Sequence, residues 1–215
     1  MTSALLGTAA LALVLACVLG ARPRLWLALN SLGALSGLGA AASVLSGGRG
    51  WALRSALTLG GENVFLTLDA LSALFLVLVS LVGGLGALYA SEYWADDHFP
   101  RSAPRGRSWW SALVLSMGLV LTCANGLHFL FAWEAFALSA YFLITLDRER
   151  SEVRRAGWLY LAASHAGTMA LFAFFSALAA GVGTWDLGPL RDRPDLAPLF
   201  WLALLGFGVK AGMFP

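Results

Sequence analysis

The sequence predicts an all-α polytopic membrane protein, with about seven transmembrane helices and a short external β-hairpin. Three observations lead there. Of the 215 residues, 59% are hydrophobic and 12% are charged, against roughly 25% charged residues in soluble domains. No soluble fold of this length could bury so much apolar surface. The apolar residues also gather into runs near the length of about 20 residues that a spanning helix needs. Finally, the arginines divide unevenly between alternate loops, as the positive-inside rule requires of a chain that crosses a bilayer repeatedly.

The runs fall at residues 4–21, 25–45, 71–90, 109–124, 127–146, 156–180 and 199–214. The first lacks a positive n-region and an A-x-A cleavage site, so it reads as a retained helix rather than a signal peptide. A lipoprotein-like stretch ends at Cys17, but no basic residue precedes it. Between the second and third runs, GGRGWALRSALTLGGENVFLTLD is too polar and glycine-rich to span. VFLTL alternates like a strand and Gly60-Gly61-Glu62-Asn63 reads as a hairpin turn. Asp69, at the start of the third run, is placed to cap a helix. Only Asn125-Gly126 separates the fourth and fifth runs, a turn signal that makes them antiparallel neighbours.

Orientation follows from the arginines. One set of loops holds Arg22, Arg24, Arg101, Arg105, Arg107, Arg148, Arg150, Arg154 and Arg155, and the other holds Arg49, Arg54, Arg191 and Arg193. Nine against four places the N-terminus and the hairpin outside and the loops around Arg105 and Arg154 in the cytoplasm. The expected location is the inner (plasma) membrane. The division expected is residues 1–68 for two helices and the external hairpin, 69–108 for the third helix and a cytoplasmic loop, and 109–215 for helices four to seven. Phe214-Pro215 follows the seventh run without a polar tail, which predicts the N-terminal part of a longer chain.

The chemistry rests on charges in apolar runs. Lys210 is the only lysine and lies in APLFWLALLGFGVKAGMF. A cation near the bilayer centre costs about 3 kcal/mol on insertion scales, so such residues are usually paired and functional. The natural counterpart is Glu134, in GLHFLFAWEAFALSAYFLITL. Gly206, Gly208 and Gly212 surround Lys210 and predict a weakened helix, tolerated at membrane depth only inside protein or beside a wet cavity. A snorkelling lysine and a structural acid between helices are the plainer readings of the two residues. Histidine as a residue type can exchange protons near neutral pH, so His165, in LAASHAGTMALF, suits a proton relay or an interhelical hydrogen bond. His98 and His128 take no assigned role. Cys17 and Cys123 form neither a metal-spaced pair nor a disulfide framework. No phosphate-binding loop, metal cluster or nucleic-acid patch emerges, and Gly83-Gly84-Leu85-Gly86 reads as a helix-packing surface. No cofactor is expected in this chain.

FLFAWEAFALSAYFLI, with Trp133, Glu134, Ser139 and Tyr141, resembles the fifth helix of the antiporter-like membrane subunits of complex I, group 4 hydrogenases and Mrp-type antiporters. GFGVKAGMFP, with Gly206, Lys210, Gly212, Phe214 and Pro215, resembles their broken seventh helix. The stretch around Asp69, Ser72, Tyr89 and Tyr93 is similar to the entry and sequel of their third helix. ASHAGTMALF, with His165, looks like the sixth helix of the hydrogenase-4 and formate hydrogenlyase large membrane subunit. The resemblance implies the first part of an inverted-repeat fold, with 109–215 an incomplete first bundle. It implies a proton-translocating subunit of a redox-driven complex, working through Glu134, Lys210 and, in a lesser role, His165, with no catalytic centre of its own. Implied partners are other membrane subunits, redox subunits in trans, the lipid bilayer, and protons or Na+. A cation/proton antiporter subunit and a non-transporting scaffold are the alternatives.

Overall fold

The computed structural model describes residues 1–47, 50–190 and 193–213. Arg49, Arg191, Phe214 and Pro215, used above, lie outside them. Each predicted run becomes a helix: α1 (Thr2–Val18), α2 (Pro23–Gly47), α3 (Ala70–Tyr93), α4 (Ala103–Thr122), α5 (Gly126–Ile144), α6 (Ser151–Val182) and α7 (Leu199–Lys210). Four of these, α2, α3, α5 and α6, are long and apolar enough to cross a membrane. α1 and α7 are shorter apolar helices. The location is therefore a membrane, and large apolar side chains such as Leu85, Phe75 and Trp201 remain exposed on the outer surface.

β1 (Trp51–Leu59) and β2 (Glu62–Leu68) pair antiparallel through a turn at Gly60-Gly61. Both turn residues have positive φ, 64° and 87°, which glycine adopts freely and side-chain-bearing residues avoid. The hairpin lies across one end of the helices. Phe65 O accepts from Ala124 N at 3.0 Å, His128 Nε2 sits 3.0 Å from Leu59 O, and Arg54 pairs with Asp186 at 2.8 Å. The α4–α5 turn, the hairpin and the α6–α7 connection thus share one end.

Arg107 ties the opposite end. Sequence reasoning places it in a polar loop with Arg105, but α4 begins six residues before Trp109 and takes in both arginines. The side chain of Arg107 is 4% exposed. Its Nε donates to Gly20 O at 2.6 Å and its Nη2 to Asp96 Oδ1 at 2.7 Å. Its own carbonyl accepts from Trp26 Nε1 at 2.8 Å. One buried guanidinium therefore joins the α1–α2 turn, the α3–α4 connection and α4. The expected solvated turn DRERSEVRR is likewise shorter, because α6 starts at Ser151.

Asp69 caps α3 as expected, with Oδ1 accepting from Ser72 N at 2.7 Å. Removing that acceptor with Asp69→Ala should cost about 1 kcal/mol. A lowered unfolding midpoint of the purified protein, with helix content unchanged, is the expected reading. An unchanged midpoint would show that the cap carries no stability.

Candidate functional site

α5 starts sharply because the Asn125 side chain accepts from Leu127 N and His128 N, at 3.1 and 3.3 Å. Glu134 lies eight residues past that start, or roughly 12 Å along the axis at 1.5 Å per residue. α6 offers a stripe at helical spacing, Ser164, Thr168, Leu171 and Phe175, all buried. Its apolar half packs with Leu130 and Phe207. Its polar half faces Glu134.

α7 does not break before the lysine. It is continuous to Lys210, and the expected weakening by glycine is replaced by two other roles. Gly206 lets α7 lie against α6: a Cβ there would stand 2.6 Å from the Leu171 side chain. Gly212, at φ 74°, ends the helix. Gly212 N bonds Val209 O at 3.1 Å and Met213 N bonds Gly208 O at 2.9 Å, the paired pattern of a left-handed C-terminal cap. Lys210 thus occupies the last turn, where the helix dipole favours a cation.

These elements bring the predicted residues together. Lys210 Nζ lies 3.4 Å from Glu134 Oε1 and donates to Ser164 Oγ at 2.9 Å. Thr168 Oγ1 donates to Glu134 Oε1 and also stands 3.1 Å from Ser164 O. His165 Nδ1 is 3.6 Å from Glu134 Oε2, beyond hydrogen-bond range but close enough to sense the carboxylate. Trp133 presents its ring 5.9 Å from Lys210 Nζ, within cation–π reach. The lysine side chain is 6% exposed, against 27% for Glu134 and 48% for His165. Lys210 therefore points into the helices rather than snorkelling. At 3.4 Å the ion pair is looser than a charge-assisted bond of about 2.8 Å, so the ammonium is held more closely by Ser164. The carboxylate can exchange partners without dismantling the site.

Ser139 and Tyr141 stay outside it. Ser139 Oγ donates to Ala135 O at 2.7 Å on its own helix, and the Tyr141 ring packs beside Gly157. Sequence reasoning missed Ser164 and Thr168, whose four-residue spacing beside His165 was the available signal. It also left His128 near a loop, whereas its side chain is buried on α5 against the hairpin. Among the described residues no cluster of three or more His, Cys, Asp or Glu could hold a metal ion.

Comparison with known proteins agrees with the architecture. Residues 63–101 match the family described as NADH-Ubiquinone oxidoreductase (complex I), chain 5 N-terminus. Hydrogenase-4 component B of Escherichia coli (strain K12) is 30% identical over 157 residues, covering 71% of this chain. The chain is similar in sequence to the antiporter-like membrane subunits. It spans 23% of the length of the Escherichia coli relative. Two solved structures share this antiporter-like fold. The Mrp complex from Dietzia sp. DQ12-45-1b superposes with a TM-score of 0.77 at 20% identity, over 97% of this chain and 23% of that one. Respiratory complex I from Thermus thermophilus with bound Aureothin gives 0.68 at 21% identity, over 97% and 43%. The segment matching the family covers β2, α3 and the connection to α4. Glu134, His165 and Lys210 lie beyond it.

Proposed function

We propose that this chain is part of a proton-translocating membrane subunit of a redox-driven complex, with all seven helices crossing the plasma membrane and the N-terminus outside. The observation that carries the reading is the Glu134 carboxylate, held at mid-helix between Lys210 and Thr168 with His165 alongside. A charge pair that is expensive to keep in a membrane is retained where charge has to move. The loose contact lets Glu134 take a proton while Lys210 keeps its bond to Ser164. Redox chemistry would reside in partner subunits, and this chain would supply the protonation changes at Glu134 and Lys210. The identity to Hydrogenase-4 component B supports this branch. The second reading, a cation/proton antiporter subunit driven by gradients alone, draws on the fold shared with the Mrp complex.

Glu134→Gln in the complete protein, assembled in its native membrane and assayed in inverted vesicles, tests the site. Assembly should persist while proton transfer falls by about 100-fold or more, the range of a lost acid–base group. Glu134→Asp should retain more transfer. Undiminished transfer in the glutamine variant would make Glu134 structural. Transfer that needs a redox donor supports the first reading, and transfer driven by a sodium gradient alone supports the second.

A further inference from the structure

Arg105, in the first turns of α4, and Arg148, just past α5, take no part in the site above. They open onto one pocket of about 200 Å³, walled also by Trp109 and Phe142. Those two rings stack with centroids 4.1 Å apart and planes within 15° of parallel. Arg148 Cζ lies 5.2 Å from the Phe142 centroid. Asp147 and Glu149 flank Arg148 in sequence. Among the described residues, however, neither Arg105 nor Arg148 forms an ion pair. Two guanidinium groups without carboxylate partners, on one hollow, are suited to an anion with several oxygens.

The hollow continues past the stacked rings. Trp109 and Phe142 also close one end of a groove of about 340 Å³ between α4 and α5, lined further along by Leu115, Leu119, Ser116 and Leu138. Its hydroxyls are already taken. Ser116 Oγ donates to Leu113 O at 2.9 Å and Ser139 Oγ to Ala135 O at 2.7 Å. The groove offers a guest only hydrocarbon contact. A free inorganic anion would account for the arginines and leave the groove unexplained, while an apolar guest would leave the arginines unexplained.

We propose that the α4–α5 seam binds one anionic phospholipid, with its phosphate between Arg105 and Arg148, its glycerol region on the Trp109–Phe142 ledge, and one acyl chain in the groove. Trp109 is the amphipathic side chain that suits the headgroup boundary. The arginines lie at the end of the molecule that carries the arginine excess, where a negatively charged leaflet supplies such lipids.

The test uses the complete protein purified with its partner subunits. Phosphatidylglycerol should remain bound in native mass spectrometry and raise the unfolding temperature, and phosphatidylcholine should do neither. Arg105→Gln with Arg148→Gln should weaken phosphatidylglycerol retention by about tenfold or more, as expected when charge-assisted bonds are lost. Leu138→Trp, which fills the groove and leaves both arginines in place, should weaken it as well. Glycerol 3-phosphate, a headgroup without chains, should neither stabilise nor compete. Equal retention of both lipids, full retention in the arginine variant or in Leu138→Trp, or stabilisation by glycerol 3-phosphate alone would overturn the proposal. So would a protein adduct, in place of a lipid adduct, from a photoreactive amino acid at position 138.

Discussion

Lys210→Met should destabilise the protein by about 3 kcal/mol, the low end of the cost of breaking a buried pair. The low end applies because Glu134 keeps 27% of its side chain exposed and still accepts from Thr168. Glu134→Gln should cost less, since an amide oxygen can still accept from Lys210 and Ser164 still holds the ammonium. The double variant should lose less than the sum of the two, by about 1–3 kcal/mol, as for residues in direct contact. Proton transfer should be absent from the double variant, because neither replacement can take up or release a proton. Unfolding of the four proteins of the cycle, with transfer measured in vesicles, separates the two statements. Strict additivity would show the pair to be uncoupled, and proton transfer surviving in the double variant would remove the relay.

Gly206→Val should act at a distance from the charges with nearly the same result. A Cβ at Gly206 would meet Leu171 Cγ and Cδ2 at 2.6 Å and the Leu171 backbone N at 3.1 Å. The leucine side chain could turn away, but its backbone cannot, so α6 and α7 would have to part. Overpacking of this kind costs about 1–3 kcal/mol. Parting the helices would also draw Lys210 from Ser164, which lies about two turns from Leu171 on the same helix. Stability and transfer should therefore fall together. Gly7→Ala is the control, since a Cβ there meets nothing within 4 Å. Unaltered stability in Gly206→Val would mean that the seam has slack.

Much of this arrangement was legible in the chain because it is written in local contrasts. A charge inside an apolar run stands out, and Glu134 and Lys210 were found that way. Glycines between alternating residues announced the hairpin, and a lone aspartate before a run announced the α3 cap. What failed to show depends on which helix faces meet. Ser139 and Thr168 are both hydroxyl residues within an apolar helix. One donates to its own turn and the other reaches a neighbouring helix's carboxylate. Ser164 and His165, within four residues of Thr168, set it apart from Ser139, but they do not say which neighbouring helix it faces. Arg107 looked like a membrane-edge arginine because its partners, Gly20 O and Asp96, lie 87 and 11 residues away. The glycines before Lys210 were read as weakening a helix, because sequence shows what a residue permits and not what lies against it.

A hydroxyl group carries one proton, and Thr168 Oγ1 stands within reach of two acceptors, Glu134 Oε1 and Ser164 O. It can serve one at a time. An ionised Glu134 is the stronger acceptor and draws the hydroxyl across to α5. A protonated Glu134 becomes a donor itself, and Thr168 is free to turn back to the carbonyl one turn earlier on α6. The Ser164 carbonyl, which keeps its backbone helix bond throughout, then gains the hydroxyl as a second donor in one state and loses it in the other. The charge on one helix is in this way copied into the bonding of the next, as a single bit whose value the Ser164 carbonyl vibration reports.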